Sequence, residues 1–194
     1  MVGELYTGVK FSALKIRNER HISKKDLELL KWCKKFAAFG FAPSYGRGSS
    51  GNLSYRTKKG FVITPTASYF DKVSTSDFCE IVKVDICKKR VFFKGRNTPS
   101  SESLLHYLVY TERQDIIAVF HGHGDIFLKN EHNFVSTERE FPYGSVELAK
   151  VASVAVKKSD FIILKNHGFL CVGKSIEKCG SVAEKNYYSL LIKK

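Results

Sequence analysis

The sequence predicts one α/β domain in which helices alternate with the strands of a sheet. Two apolar patterns lead to this prediction: longer runs with the spacing of amphipathic helices, and short runs bounded by turn residues, as in strands. The chain has no internal repeat, low-complexity tract or linker, and its 194 residues with 43% hydrophobic content can bury one core. We therefore expect a single domain over residues 1–194.

The first half of the chain predicts one helix, a loop and four strands. Ser23 and Asp26 suit the capped start of a helix over Ser23–Phe39, which Gly40 can end. Residues 43–52, PSYGRGSSGN, indicate a loop, and lysine-containing turns then separate short apolar runs. The predicted strands are Leu53–Thr57, Phe61–Thr64, Glu80–Ile86 and Arg90–Lys94.

The second half predicts three helices and three strands. A helix starts near Ser100, because Pro99 precedes it and apolar residues recur at helical spacing after it. An apolar strand follows, and after a polar stretch come an Ala/Val-rich helix, two buried strands and a closing helix. These later elements are predicted at Ile116–His123, Ser145–Lys157, Phe161–Leu164, Phe169–Val172 and Ser175–Ile192.

The charge of the chain bears on its partners. Its 32 basic and 19 acidic residues give a net charge of +13, which suggests an anionic partner, either nucleic acid or a phosphorylated small molecule. The basic residues are spread along the chain in twos and threes, with no basic tail and no nucleic-acid recognition motif. A solvated lysine-rich surface also explains this pattern.

The remaining composition bears on the compartment. The first 20 residues lack the apolar run of a signal peptide, and no segment approaches the roughly 20 apolar residues of a membrane helix. The five cysteines are odd in number and form no C-x-x-C pair, which favours reduced thiols. We therefore expect a cytoplasmic protein without a membrane partner.

The stretch VFHGHGD, residues 119–125, places two histidines one residue apart after an apolar run. Side chains alternate between the two faces of a strand, so His121 and His123 are expected on the same face. Neutral imidazoles at this spacing can bind one metal ion. Two solvated histidines at the end of a strand are the alternative that the spacing alone leaves open.

Three other motifs carry polar groups that suit a site. LKNHG at residues 164–168 places a third histidine at the end of a buried strand. PSSE at residues 99–102 places two hydroxyls and a carboxylate in the expected first turn of a helix, where anions are favoured. GSSGN at residues 48–52 can bring backbone N–H groups close to a phosphate. Each motif alone is also common as a turn, a helix cap or a surface segment.

Together and in this order, GSSGNLS, ITPT, PSSE, AVFHGH and LKNHG resemble the motifs of the class II aldolase/adducin family, from about Lys25 to the C-terminus. The resemblance implies a largely antiparallel sheet with helices on both faces, in three layers. It implies a metal-dependent lyase that is commonly a cyclic homotetramer, with a phosphorylated small molecule as substrate. No nucleic-acid partner is expected, because no recognition motif accompanies the charge.

The resemblance also implies roles for individual residues. His121, His123 and His167 would ligate one divalent ion, with zinc as the expected metal. Glu102 would be the catalytic acid/base, and it would also ligate the metal when no substrate is bound. The implied phosphate-binding residues are Ser49, Gly51, Asn52, Thr66, Ala67, Ser100 and Ser101.

The implied reaction is the cleavage of a phosphorylated ketose such as L-fuculose 1-phosphate through a metal-stabilised enediolate. A sibling epimerase or dehydratase and a non-catalytic adducin-like module are the alternatives. The chain departs from the family pattern in a short segment at residues 124–166, where Tyr143 cannot be aligned with the family tyrosine. Asp125 stands at a position where small or apolar residues are commoner in the family. His106, four residues after Glu102, is either a partner of the site or simply packed beside it.

Overall fold

A computed structural model describes residues 8–192, which form helices on both faces of a sheet. The prediction that the chain lacks a signal peptide falls partly on residues 1–7, outside the described residues. The helices are α1 (Lys24–Ala38), α2 (Ser103–Glu112), α3 (Asp125–Lys129), α4 (Val146–Ala155) and α5 (Ile176–Ile192). The strands are β1 (Ser12–Arg17), β2 (Ser44–Tyr45), β3 (Gly48–Ser49), β4 (Asn52–Arg56), β5 (Phe61–Ile63), β6 (Cys79–Asp85), β7 (Arg90–Lys94), β8 (Ala118–Gly122), β9 (Val135–Ser136), β10 (Phe161–Leu164) and β11 (Gly168–Gly173).

The sheet has nine strands within the described residues, in the order β1-β7-β6-β5-β4-β8-β11-β10-β9. Its six inner pairings are antiparallel, and only the two edge pairings, β1 with β7 and β9 with β10, are parallel. β2 and β3 pair separately as a small hairpin. The predicted largely antiparallel sheet is confirmed.

Both faces of the sheet are covered, because its central strands are apolar on both sides. In β8, Val119 packs with the core on one face, whereas Ala118 and Phe120 pack on the other, following the two-residue period of a strand. Helices α2 and α4 cover the first face, and α1, α3 and α5 cover the second. The predicted three-layer arrangement is therefore confirmed.

The close contact of α1 with α5 closes the second face. The Asp26 carboxylate accepts a hydrogen bond of 2.6 Å from the Ser23 backbone at the start of α1, as its predicted cap requires. Further along α1, the indole of Trp32 is fully buried against α5. A Cβ at Gly180 would lie 2.3 Å from the Trp32 ring, so α5 can approach only with a glycine there.

The structure contains elements that the sequence did not predict and shifts one that it did. β1, the β2–β3 hairpin, α3 and β9 were not predicted. β1 is an edge strand with mostly exposed residues, and the others have only two to five residues each. Helix α2 begins at Ser103 rather than near Ser100, because residues 100–102 form a turn that leads into it.

No helix in residues 8–192 combines the length and the apolar character needed to cross a bilayer. All five cysteines have free thiols; the buried ones are Cys33, Cys79, Cys171 and Cys179.

Candidate active site

Three histidines meet at one end of the central strands. His121 is in β8, His123 directly follows this strand, and His167 lies in the turn between β10 and β11. β8 pairs antiparallel with β11, which brings the turn beside the end of β8. The Nε2 atoms of His121 and His123 are 2.9 Å apart, and one ring nitrogen from each histidine lies within 4.8 Å of the others. The structure thus brings together the three predicted imidazoles.

The environment of the rings favours neutral imidazoles. The Nδ1 of His121 lies 2.8 Å from the carbonyl oxygen of Phe169, which can only accept, so Nδ1 carries the proton and Nε2 keeps its lone pair. Burial lowers the pKa of His121. Burial, and then the neighbouring His121 and His167, also hold the pKa of His123 well below its usual range. Neutral imidazoles are the form that binds a metal.

Glu102 completes the cluster from the start of α2. Its Oε2 lies 3.1 Å from Nε2 of His121 and accepts a hydrogen bond of 2.8 Å from the Asn52 amide. Its Oε1 lies 3.5 Å from Nε2 of His167 and has no hydrogen-bond partner among the described residues. Burial alone raises the pKa of Glu102, but His121, His167 and the Asn52 amide together lower it below its usual value.

This donor set fits a divalent cation. Three imidazole nitrogens converge, and His121 is oriented by a backbone carbonyl, as metal-ligating histidines commonly are. A buried carboxylate oxygen without a partner lies beside them, although such groups are otherwise costly. His121, His123 and His167, with Glu102 next to them, can therefore hold a metal ion.

A cavity of about 1070 Å³ opens over the cluster. Glu102, His123 and His167 line it, whereas His121 is completely buried behind them. All the residues expected to bind phosphate also line this cavity: Ser49, Gly51, Asn52, Thr66, Ala67, Ser100 and Ser101.

The expected phosphate loop is held tightly against the histidines. Gly51 has a positive φ of 98°, and a Cβ there would lie 2.6 Å from the backbone oxygen of His121. Only glycine allows this approach. In this loop the backbone N–H groups of Ser49 and Ser50 donate to protein carbonyls, and so does that of Thr66 in the neighbouring segment. The hydroxyls of the cavity wall are therefore better available than these N–H groups as donors to a phosphate.

Asn52 and His106 have contacts that the sequence could not specify. The Asn52 amide donates to Glu102, so its side chain reaches the carboxylate as well as the cavity. The ring of His106 contacts Asn52 and Ser54 and does not contact Glu102 directly. These contacts favour His106 as a partner of the site over His106 as a residue that is simply packed beside it.

Sequence reasoning missed Arg47 as a site residue. Arg47 is the only lysine or arginine among the described residues that line the cavity. Its position between two glycines, in the loop that was expected to bind phosphate, was the available signal. Tyr143 and Asp125 also line the cavity, and the Tyr143 hydroxyl donates to the carbonyl of Gly8 at 3.2 Å.

Comparisons with known proteins agree with this geometry. Residues 27–129 and 126–189 match the family described as the class II aldolase and adducin N-terminal domain. The L-fuculose phosphate aldolase of Methanocaldococcus jannaschii is 29% identical over 194 residues, which cover 86% of this chain and 98% of that protein. The 5-methylthioribulose-1-phosphate/5-deoxyribulose-1-phosphate aldolase of Escherichia coli is 29% identical over 168 residues, which cover 78% of this chain and 74% of that protein.

A solved structure of an L-fuculose 1-phosphate aldolase matches with a TM-score of 0.73 and 27% identity, covering 88% of this chain and 84% of the other. The curated relatives are named as aldolases, so the prediction of an aldolase-type enzyme is confirmed. The motifs, the fold and the matched residues lead to one assignment. This chain belongs to the class II aldolase and adducin family.

Proposed function

We propose that this chain is a zinc-dependent aldolase that cleaves a phosphorylated ketose such as L-fuculose 1-phosphate. The observation that supports this most is the meeting of the Glu102 carboxylate with three imidazoles at the base of a large cavity. The name of the M. jannaschii relative supports the substrate class. The name of the E. coli relative supplies a second phosphorylated ketose to test.

The proposed metal ligands are His121, His123 and His167, joined by Glu102 when no substrate is bound. Nitrogen ligands with a carboxylate suit zinc among the common divalent ions. When bound, the ion supplies a Lewis acid that polarises the ketose carbonyl. His121 is completely buried, so water is kept away from its side of the site.

Glu102 is proposed to move the proton. In aldol cleavage of a 2-ketose, the C4 hydroxyl loses its proton and C4 becomes an aldehyde carbon as the C3–C4 bond breaks. The electron pair of that bond stays on C3, which takes up a proton. A carboxylate within reach of C3 can hold and deliver that proton. Oε2 of Glu102 is held by Asn52, whereas Oε1 has no partner among the described residues. We therefore assign the proton transfer to Oε1.

The cavity wall is proposed to bind the substrate phosphate. The Ser49 hydroxyl accepts a hydrogen bond of 3.2 Å from the Phe70 backbone and keeps its own proton for an anion. Ser101 adds a hydroxyl, and Arg47 adds a cation that suits phosphate geometry. With the other predicted phosphate residues, these groups would hold one end of the substrate while the cluster acts on the other.

We also propose that the enzyme is a cytoplasmic homotetramer, as the family resemblance implies. Light scattering would then give a particle of four chains of 22.0 kDa each. A monomer at micromolar concentration would contradict the tetramer and leave the site assignment unchanged.

The function is tested with purified protein that has been stripped of metal and reloaded with zinc. Release of the aldehyde product is followed with L-fuculose 1-phosphate, with 5-methylthioribulose 1-phosphate and, as the control, with unphosphorylated L-fuculose, because cleavage of each of the three gives an aldehyde. We expect zinc-dependent release from a phosphorylated ketose, and about one zinc per chain that His121→Ala removes. No release from either phosphorylated ketose, or metal content that His121→Ala leaves unchanged, would contradict the proposal.

A further inference from the structure

A chain of buried polar side chains runs from the site into the core beneath α2. Asn52 contacts Glu102, His106 contacts Asn52, and the Ser54 hydroxyl lies 2.6 Å from Nδ1 of His106. The Tyr110 hydroxyl lies 2.8 Å from the Ser54 hydroxyl. All five residues are at least nine-tenths buried. Such a chain needs a specific arrangement of protons.

The arrangement of protons follows from the carboxylate end. An ionised carboxylate only accepts, so the Asn52 amide turns its NH₂ toward Glu102 and its oxygen toward His106. Nε2 of His106 must therefore carry a proton and donate it to the Asn52 oxygen. The ring is neutral, because burial lowers the pKa of His106 to about 3. Its Nδ1 then accepts from the Ser54 hydroxyl, whose oxygen can accept from Tyr110.

Every donor in this chain points toward Glu102. If the Asn52 amide were reversed, its oxygen would face the carboxylate oxygen and its NH₂ would face the Nε2 proton of His106. Both contacts would be repulsive, so His106 fixes the amide in one orientation. The unpartnered Oε1 of Glu102 lies at the other end of the same carboxylate. Oε2 is thus anchored by the amide beside His121, and Oε1 is left beside His167 without a hydrogen-bond partner in the described part of the chain.

We infer that His106 is a positioning residue for the reaction. By holding the Asn52 amide, it keeps Oε2 of Glu102 anchored and Oε1 directed at the reacting carbon. This inference rests on the proposed function only in naming the reaction, because the hydrogen-bond chain is already present in the protein without substrate.

Two variants separate positioning from packing. His106→Phe keeps an aromatic ring beside Phe61, with which His106 stacks, but it leaves the Asn52 oxygen without a donor. His106→Gln places an amide where it can donate to Asn52 again. Phe61→Leu is the control, because it disturbs the packing on His106 and Tyr110 but removes no hydrogen-bonding group from the chain.

The first readout is turnover on the phosphorylated ketose. We expect His106→Phe to lower kcat by about 10- to 100-fold, as for residues that orient site ligands, with little change in KM. His106→Gln should restore most of kcat, and Phe61→Leu should leave kcat near that of the wild type. Wild-type kcat in His106→Phe, or folded His106→Gln that restores nothing, would overturn the inference.

The second readout needs no substrate and distinguishes failure of this inference from failure of the proposed function. NMR of the metal-free wild type should show His106 protonated at Nε2 and the Asn52 side-chain amide protected from exchange. His106→Phe should speed exchange of that amide by roughly tenfold, and His106→Gln should reverse this. Protonation at Nδ1 in the wild type, or unchanged exchange in His106→Phe, would overturn the inference even if no substrate is cleaved.

Discussion

Replacing Glu102 by glutamine tests the proposed proton transfer most directly. Glutamine has nearly the same shape, but it has neither the charge nor the basicity of the carboxylate. The Asn52 amide donates at 2.8 Å and would select the glutamine oxygen, so the new NH₂ would take the place of Oε1, near His167. The side chain can therefore keep its orientation, and the fold should be preserved.

The expected magnitude follows from that position. Since only Oε1 is free to exchange a proton, its replacement by NH₂ removes the acid/base entirely. General acid–base catalysis contributes about 100- to 10,000-fold in rate. This corresponds to a rise in the activation barrier of about 2.7 to 5.4 kcal/mol. We expect kcat to fall by this factor, while KM changes little because the phosphate wall is intact.

The assay compares triose phosphate release by Glu102→Gln and by Glu140→Gln at equal zinc loading. Glu140 lines the same cavity but accepts its hydrogen bond from Asn166, so it is a matched carboxylate outside the cluster. Glu140→Gln should therefore lower kcat only slightly. Zinc content is measured for both variants and should stay near one per chain through the three histidines.

Two results would refute the reasoning. Wild-type turnover in Glu102→Gln would assign the proton to another group, with Asp125 and Tyr143 as the next candidates in the cavity. Loss of zinc from Glu102→Gln would show that Glu102 acts mainly as a ligand, and its role in proton transfer would then lack support.

Two further predictions concern the phosphate and pH. Inorganic phosphate at 100 times its Kd should stabilise the fold by about 2.7 kcal/mol, measured as a rise in the thermal unfolding midpoint. Arg47→Ala should reduce this rise, whereas Lys72→Ala, outside the cavity, should leave it unchanged. Equal stabilisation by an unphosphorylated sugar would contradict the phosphate wall. The pKa of His106 is about 3 in the fold, below its unfolded value, so the unfolded chain binds a proton that the native chain lacks. The metal-free protein should therefore lose stability as pH falls from about 6.5 toward 3. In denaturant titrations, His106→Gln should reduce the slope of the unfolding free energy against pH by about 1.4 kcal/mol per pH unit. An unchanged slope would contradict this prediction.

The central elements could be predicted because burial leaves a strong pattern in their residues. β8 and β10 are continuous apolar runs, and α1 has both an apolar stripe and the Ser23 cap. β1 and β9 leave little such signal, because an edge strand is held by backbone hydrogen bonds and buries few side chains. The predicted start of α2, near Ser100, is three residues before the observed start at Ser103. Pro99 indicates that a helix follows, but it does not determine which residue begins it.

The site could be predicted in part. Spacing placed His121 and His123 together, and the family resemblance supplied His167, which only the pairing of β8 with β11 brings beside them. The direction of the Asn52 amide could not be foreseen, since it depends on a carboxylate 50 residues away and on a buried histidine. Long-range contacts of this kind leave no periodic signal in the sequence.

The electrostatics of the cluster connect the proposed metal with the proposed base. The pKa of Glu102 is lowered mainly through attraction to His121 and His167, yet burial also lowers the pKa of His121 itself. A neutral His121 cannot supply the positive charge that an ionised, buried carboxylate requires. A divalent cation held by the imidazoles would remove this conflict, because it favours neutral ligands and an ionised carboxylate at the same time. On this argument, loss of the metal would leave less of Glu102 ionised and able to accept a proton, and it would also remove the Lewis acid.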